Sequence, residues 1–325
     1  MNKEQVIIIG GGPCGIAAWL SLQKKGINAL IIEKGNIVHT LSRFPTHQTF
    51  FSTSEKLEVG EIPFIIEGRK PKKHMALAYY RDVVKRNKVR IHTFETVTNV
   101  EKEEKFIVGT VNSDNEKFQY EADAIVIATG YYDHPNMLGI KGEELSKVTH
   151  YFHEGHEFFN QNVVVIGGKN SSVDAALELQ KCGSYVTVLY RGEQYSPSIK
   201  PWVLPEFEAL VKTGEIKMEF KSNVVEIKKD SVIYEKEGIL HEIENDFVFA
   251  MTGYHPDHTL IKSMGVQIEE ETGRPNVNPE TMETNSEDIY IAGVIAAGNN
   301  ANEIFIENGR FHGDLIAEHL TSKWK

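Results

Sequence analysis

A cysteine sits inside the glycine run GGGPCG at residues 10–15, and the chain has only one other, Cys182. A thiol at a helix start feels the positive end of the helix dipole, which favours the thiolate, the form that attacks a disulfide sulfur. A phosphate bound at the same turn opposes that shift. The plainer alternative for Cys14 is a small apolar residue packed in a tight turn, and the sequence leaves both open. Around it, Gly10 permits the turn, Gly12 lets a backbone approach a pyrophosphate, and Gly15 allows close helix–strand packing, with Pro13 in the same cofactor-binding turn. Glu33 ends the next apolar run, followed by Lys34, and is placed to accept ribose hydroxyls.

A second set of residues suits a phosphorylated nucleotide. Gly167, Gly168, Lys169, Asn170, Ser171 and Ser172 form a turn like the first, with Lys169 and Ser172 where the middle and third glycines stood. Tyr190 replaces the acid and Arg191 follows it. Loss of the carboxylate removes repulsion against a 2′-phosphate, and a guanidinium binds one bidentately. Lys200, in the loop after Arg191, is a further candidate for that phosphate. Lys169 faces either the pyrophosphate or solvent. This unit is read as binding NADPH rather than NADH.

The elements that must position these residues are two copies of one unit. Residues 6–34 and 163–191 align without a gap at an offset of 157, so that Gly10 matches Gly167 and Gly26 matches Gly183. Each copy reads as a buried strand, a glycine turn, an amphipathic helix, a glycine stop and a second strand, which is a βαβ unit. The stretches IVIATGYYDHP (125–135) and VFAMTGYHPD (248–257) read as two crossings between domains. The fold is therefore expected to be α/β, with two Rossmann-like dinucleotide-binding domains and the NADPH domain inserted into the FAD domain. The expected bounds are 1–127 with 253–325 for FAD and 128–252 for NADPH. Thr129 and Gly130 lie at the first crossing. Near the end, a strand closing at Gly293-Val294 leads to a helix expected from about Glu303, with Ile304 facing the flavin. His47 and Gln48, in PTHQTFFSTSEKL, either hydrogen-bond the cofactor or pack as an ordinary loop.

Length and composition agree with this reading. The 325 residues are 41% hydrophobic and 25% charged, enough for two cores. A formal charge of −11 disfavours nucleic acid and membrane surfaces as partners. The N-terminal VIII run is strand-length and the glycines fall at fingerprint spacing, so a secretory signal is not expected, nor is a membrane span. Two cysteines build no disulfide framework and suit a reducing cytoplasm. His150, His153 and His156 are interrupted by aromatics and Gly155, so no metal site is expected.

The chain resembles the two-dinucleotide-domain flavoproteins of the small thioredoxin-reductase-like group. Within it, GGGPCG, PTHQTFFS, GGKNSSVDAALEL, LYRGEQYSPSIKPW and YIAGVIAAGN together resemble the bacillithiol disulfide reductase family. The resemblance implies FAD, NADPH, a low-molecular-weight thiol disulfide as substrate, a cytoplasmic setting and a homo-oligomer. Two departures from thioredoxin reductase stand out. The Cys-x-x-Cys pair of that enzyme is absent, so a dithiol relay is excluded and Cys182 reads as a structural thiol. Val294 replaces the aspartate with which many relatives contact the ribityl chain.

The expected reaction passes hydride from NADPH to FAD. Cys14 attacks the substrate disulfide, and reduced flavin resolves the adduct. A variant has the reduced flavin act directly while Cys14 only shapes the site. Rival readings are a ferredoxin/flavodoxin–NADP reductase of the same fold, a flavin monooxygenase, and a nucleotide-binding redox sensor.

Overall fold

A computed structural model of the chain describes residues 2–300 and 302–325. The first compact unit begins with β1 (Asn2–Ile9), α1 (Pro13–Lys24) and β2 (Ala29–Glu33), the βαβ motif expected from the spacing. α2 (His39–Ser42), a 3-10 turn at Ser54–Leu57 and α3 (Lys73–Arg86) follow, then β3 (Ile91–Thr93). A meander of β4 (Glu95–Lys102), β5 (Phe106–Asn112) and the long β6 (Lys117–Ile127) completes the first segment, and the EKEEK run turns between its first two strands.

β1 is buried on both faces, which is why it reads as an unbroken apolar run. Val6 and Ile8 face a core shared with α1, while Ile7 and Ile9 face a second core shared with Val108 and Ile125. α1 ends at Gly26, whose φ of 75° closes the helix while Ile27 N–H donates to Leu22 O at 3.0 Å.

The second unit, Pro135–Gly253, contains β7 (Val148–Thr149), β8 (Asn162–Ile166), α4 (Asn170–Lys181), β9 (Tyr185–Leu189) and α5 (Leu204–Thr213). It continues with β10 (Ile216–Glu219), the meander β11 (Ser222–Ile227), β12 (Ser231–Lys236), β13 (Ile239–Glu244), and β14 (Phe247–Ala250). The chain then re-enters the first unit, which runs to His134 and resumes at Tyr254. That return segment carries α6 (Thr259–Ser263), β15 (Ile289–Ile291), α7 (Ile306–Gly309) and α8 (His312–Lys323).

The duplication extends beyond the βαβ motif. Parallel strands run β3-β2-β1-β6-β15 in the first unit and β10-β9-β8-β14-β7 in the second. Each unit adds a three-stranded antiparallel meander. In the first, β6 serves both meander and parallel sheet. In the second, Asn245 and Asp246 separate β13 from β14.

The first boundary falls seven residues later than the sequence suggested, after His134 instead of 127. Side chains of 131–134 pack within the first unit. The Tyr132 ring lies 5.4 Å from Phe44 and 4.5 Å from Tyr254, and Asp133 takes ion pairs from Lys34 and Arg43. Among the described residues no helix is long and apolar enough to cross a membrane.

Candidate functional site

The first glycine turn is built for close approach. Gly10 has φ of 111°, and a Cβ there would stand 2.4 Å from Ala128 O. A Cβ on Gly15 would stand 2.0 Å from Gly10 O, so the helix start sits directly against the turn. Gly12 is the N-cap of α1 with no side-chain cap, and a Cβ on it would meet nothing within 4 Å. The turn is therefore open on its Gly12 side, at a helix N-terminus, where an anion is favoured. Glu33 is buried at the end of β2. One carboxylate oxygen accepts Gly11 N–H at 2.6 Å and the other accepts Gly35 N–H at 2.7 Å, which leaves lone pairs for hydroxyl donors. An open cradle followed by a fixed acid fits the pyrophosphate and ribose of FAD. Gly10, Gly12, Pro13, Gly15 and Glu33 are the residues that would hold them.

Cys14 packs its side chain against the return segment. A Cβ on Gly293 would lie 3.0 Å from Cys14 Sγ, and one on Gly309 would lie 3.1 Å from it. The thiol pKa is pushed up to about 12, first by burial and then by the negative charge of Glu307. The lowering expected from the helix start is thus overridden by the protein packed around the sulfur. Cys14 is a neutral thiol at physiological pH. Glu307 itself is hydrogen-bonded by Ser52 Oγ, which ties PTHQTFFS to α7. Gly293 N–H donates to His312 Nδ1 at 3.2 Å, and burial holds that imidazole below its usual pKa.

Other expected contacts of this unit are placed as follows. Lys34 is engaged, its Nζ 2.8 Å from Asp133. His47 and Gln48 are half-buried in the 45–57 loop, and Gln48 Nε2 donates to Thr49 O at 2.9 Å. Thr129 is exposed and Gly130 has φ of 73° just beyond β6. Val294 begins a 3-10 turn, Val294–Ala297, and Ile304 lies against Gly309. The terminal helix does not begin near Glu303. Asn308 accepts Phe305 N–H at 2.8 Å and donates to Glu303 O at 2.8 Å, holding 303–305 outside the helix, which starts at Ile306.

The second turn repeats the first with changed chemistry. A Cβ on Gly167 would stand 2.5 Å from Met251 O, as Gly10 stands to Ala128. Lys169 is the N-cap of α4, with no side-chain cap. Ser172 is fully buried and its Oγ donates to Lys169 O at 2.8 Å, so the third glycine is replaced without loss of the close packing. Ser171 is exposed in the first turn of α4. The ring of Tyr190 occupies the place of the Glu33 carboxylate: Cβ atoms on Gly168 and Gly192 would lie 2.3 and 2.4 Å from it. Arg191 is exposed, and among the described residues its guanidinium makes no hydrogen bond or ion pair. Asn170 holds the loop that carries Lys200. The spacing gave no signal for Asp174, whose carboxyl is pushed up to about 6 by burial, nor for Glu307 and His312.

The family described as pyridine nucleotide-disulphide oxidoreductase matches residues 7–293. A bacilliredoxin reductase, Bdr, of Bacillus subtilis is 60% identical and is aligned over 99% of both chains. A solved structure of bacillithiol disulfide reductase, Bdr, from Bacillus cereus is 63% identical with a TM-score of 0.98, covering 99% of this chain and 100% of that one. A thioredoxin reductase from T. acidophilum shares the fold at 22% identity with a TM-score of 0.79, over 100% of this chain and 99% of its own.

Proposed function

The chain belongs to the pyridine nucleotide-disulphide oxidoreductase family, as an FAD- and NADPH-dependent oxidoreductase, and we propose that its substrate is a low-molecular-weight thiol disulfide, foremost bacillithiol disulfide. The observation that carries this reading is a single free thiol, Cys14, lodged in the first dinucleotide turn, with the other cysteine, Cys182, in the second unit. Bound FAD supplies the two-electron chemistry that couples NADPH oxidation to disulfide reduction.

The chain's own residues divide the remaining work. The first turn and Glu33 hold the flavin nucleotide, and Gly293, Val294 and Ile304 line its reactive end. The second turn and Arg191 take NADPH. Cys14 rests as a thiol and must give up its proton to attack, since the thiolate is the nucleophile. As its sulfur bonds to one sulfur of the substrate, the substrate S–S bond opens, and the departing thiolate takes the proton that Cys14 loses. Burial, with a smaller contribution from Glu307, keeps the resting thiol protonated.

The test separates two half-reactions in Cys14→Ala. NADPH-dependent bleaching of the flavin is expected to persist, while turnover of bacillithiol disulfide falls at least about a hundredfold. Full turnover in that variant assigns Cys14 only to shaping the site. The name of the Bacillus subtilis relative favours a second reading, in which the disulfide is carried by a bacilliredoxin. Parallel assays with bacillithiol disulfide and with an oxidised bacilliredoxin distinguish the two. We assign the protein to the cytoplasm, where its two free cysteines stay reduced. We also expect a homo-oligomer, which sedimentation of the holoprotein checks.

A further inference from the structure

Asn170 lies at the first position of α4, where the repeat places Pro13 in the other copy. Its side chain is spent on backbone groups of a different segment. Nδ2 donates to Ser198 O at 2.9 Å, and Oδ1 accepts Lys200 N–H at 3.0 Å. Both polar ends of the amide are thereby engaged, and the partners are main-chain atoms two residues apart. The loop so held is braced from within. Ser196 is buried, its Oγ lies 2.8 Å from Ser198 Oγ, and it also accepts Ser198 N–H at 3.3 Å. Ile199 is buried in the same core as Val188 and Phe207. On its far side, Lys200 O accepts Val203 N–H at 2.9 Å and Leu204 N–H at 3.2 Å, which fixes the entry to α5.

We propose that Asn170 is a positioning residue for nucleotide discrimination. It contacts no nucleotide itself; it clamps residues 196–200 to the start of α4, so that the backbone carrying Lys200 is held beside the second glycine turn before NADPH arrives. The inference rests on the reading of the second unit as the NADPH site. Ordering a free loop costs conformational entropy at each residue, and a loop ordered in advance does not charge that cost to binding. The benefit falls only on a ligand that uses Lys200, which is the ligand carrying a 2′-phosphate. The first copy binds no such group and has proline at this position, which offers no side-chain hydrogen bond.

The distinction from a direct pyrophosphate contact is measurable. The probes are 2′,5′-ADP and 5′-AMP, titrated calorimetrically into the FAD-loaded protein, with KM for NADPH and NADH beside them. Asn170→Ala is expected to weaken 2′,5′-ADP about tenfold and raise KM for NADPH similarly, with 5′-AMP, KM for NADH and kcat little changed. Lys200→Ala, which leaves the clamp intact, is expected to give the same pattern, and the double variant little more than either alone. Equal losses for both nucleotides overturn the inference, because a pyrophosphate contact serves both. Additive losses in the double variant overturn it as well. If the unaltered protein does not prefer 2′,5′-ADP to 5′-AMP, the NADPH assignment itself falls and takes the inference with it. A preference in the unaltered protein that survives Asn170→Ala sinks the inference alone.

Discussion

Cys14 and Gly293 touch: a Cβ on Gly293 would stand 2.9 Å from Cys14 Cβ and 3.0 Å from its Sγ. Gly293 also has φ of 84° and ψ of −159°, a region open essentially to glycine alone. Gly293→Ala therefore meets two penalties, backbone strain of about 1–3 kcal/mol and a clash with the thiol-bearing side chain. We expect a lower Tm and faster loss of FAD on dilution. Adding Cys14→Ala removes the Sγ contact but neither the strain nor the Cβ contact. The double variant is expected to recover only part of the lost Tm, and full recovery would show the strain to be negligible.

The charge state of Cys14 gives a second prediction. With the thiol pKa at about 12, the folded protein carries almost no thiolate at neutral pH. Glu307→Gln removes the smaller of the two causes, so the pKa is expected to move down, while burial keeps it above that of a free cysteine. Ultraviolet thiolate absorbance followed against pH, with Cys14→Ala subtracted, checks this. An unchanged titration in Glu307→Gln would mean that the carboxylate does not act on the sulfur.

The sequence made the repeat legible in depth. The offset of 157 that matches Gly10 to Gly167 also matches Gly11 to Gly168, Glu33 to Tyr190 and Gly35 to Gly192, and the same pairs meet in space. Local spacing carries that information because strand, turn and helix are contiguous. The surroundings of Cys14 were not legible. Glu307, Gly309 and His312 arrive from the other end of the chain, on short helices whose starts depend on the Asn308 side chain. The thiol environment was left open by the sequence for the same reason. The helix dipole is a local property, whereas the burial that outweighs it comes from segments far away in sequence. Nor did periodicity show that residues 131–134 stay with the first unit, since Phe44 and Tyr254 hold them there.

Asp174 gives a prediction with a definite sign. Its carboxyl titrates at about 6 in the folded protein against 3.8 as the reference for the unfolded chain, and the cause is burial. A raised folded pKa means that the folded state binds the proton more tightly. The stability linked to that proton is fully present below about pH 4 and is lost as pH rises through about 6. Above that, the half-buried carboxylate, which makes no ion pair among the described residues, lowers stability by about 3 kcal/mol. Asp174→Asn is expected to raise Tm at pH 7.5 and to leave it nearly unchanged at pH 4. Denaturant melts of both proteins across that range check it, and a gain that is the same at every pH would argue against titration as the cause.

The last prediction exploits the frame that the two copies share. In the first copy, Gly11 and Gly35 donate their N–H groups to the two oxygens of Glu33. In the second, Gly168 and Gly192 stand at the equivalent places, and the ring of Tyr190 packs against both. Tyr190→Glu puts a carboxylate where two backbone donors already wait. That acid can accept ribose hydroxyls, and it repels a 2′-phosphate. The ratio of kcat/KM for NADPH to that for NADH is expected to fall about a hundredfold, with NADH used better than by the unaltered protein. Tyr190→Ala serves as the control. It removes the ring without adding charge, and it is expected to lower kcat/KM for both nucleotides while keeping the preference for NADPH. A Tyr190→Glu variant that still prefers NADPH by the original margin would mean that the 2′-phosphate binds away from this strand end, and the role given to Arg191 would go with it.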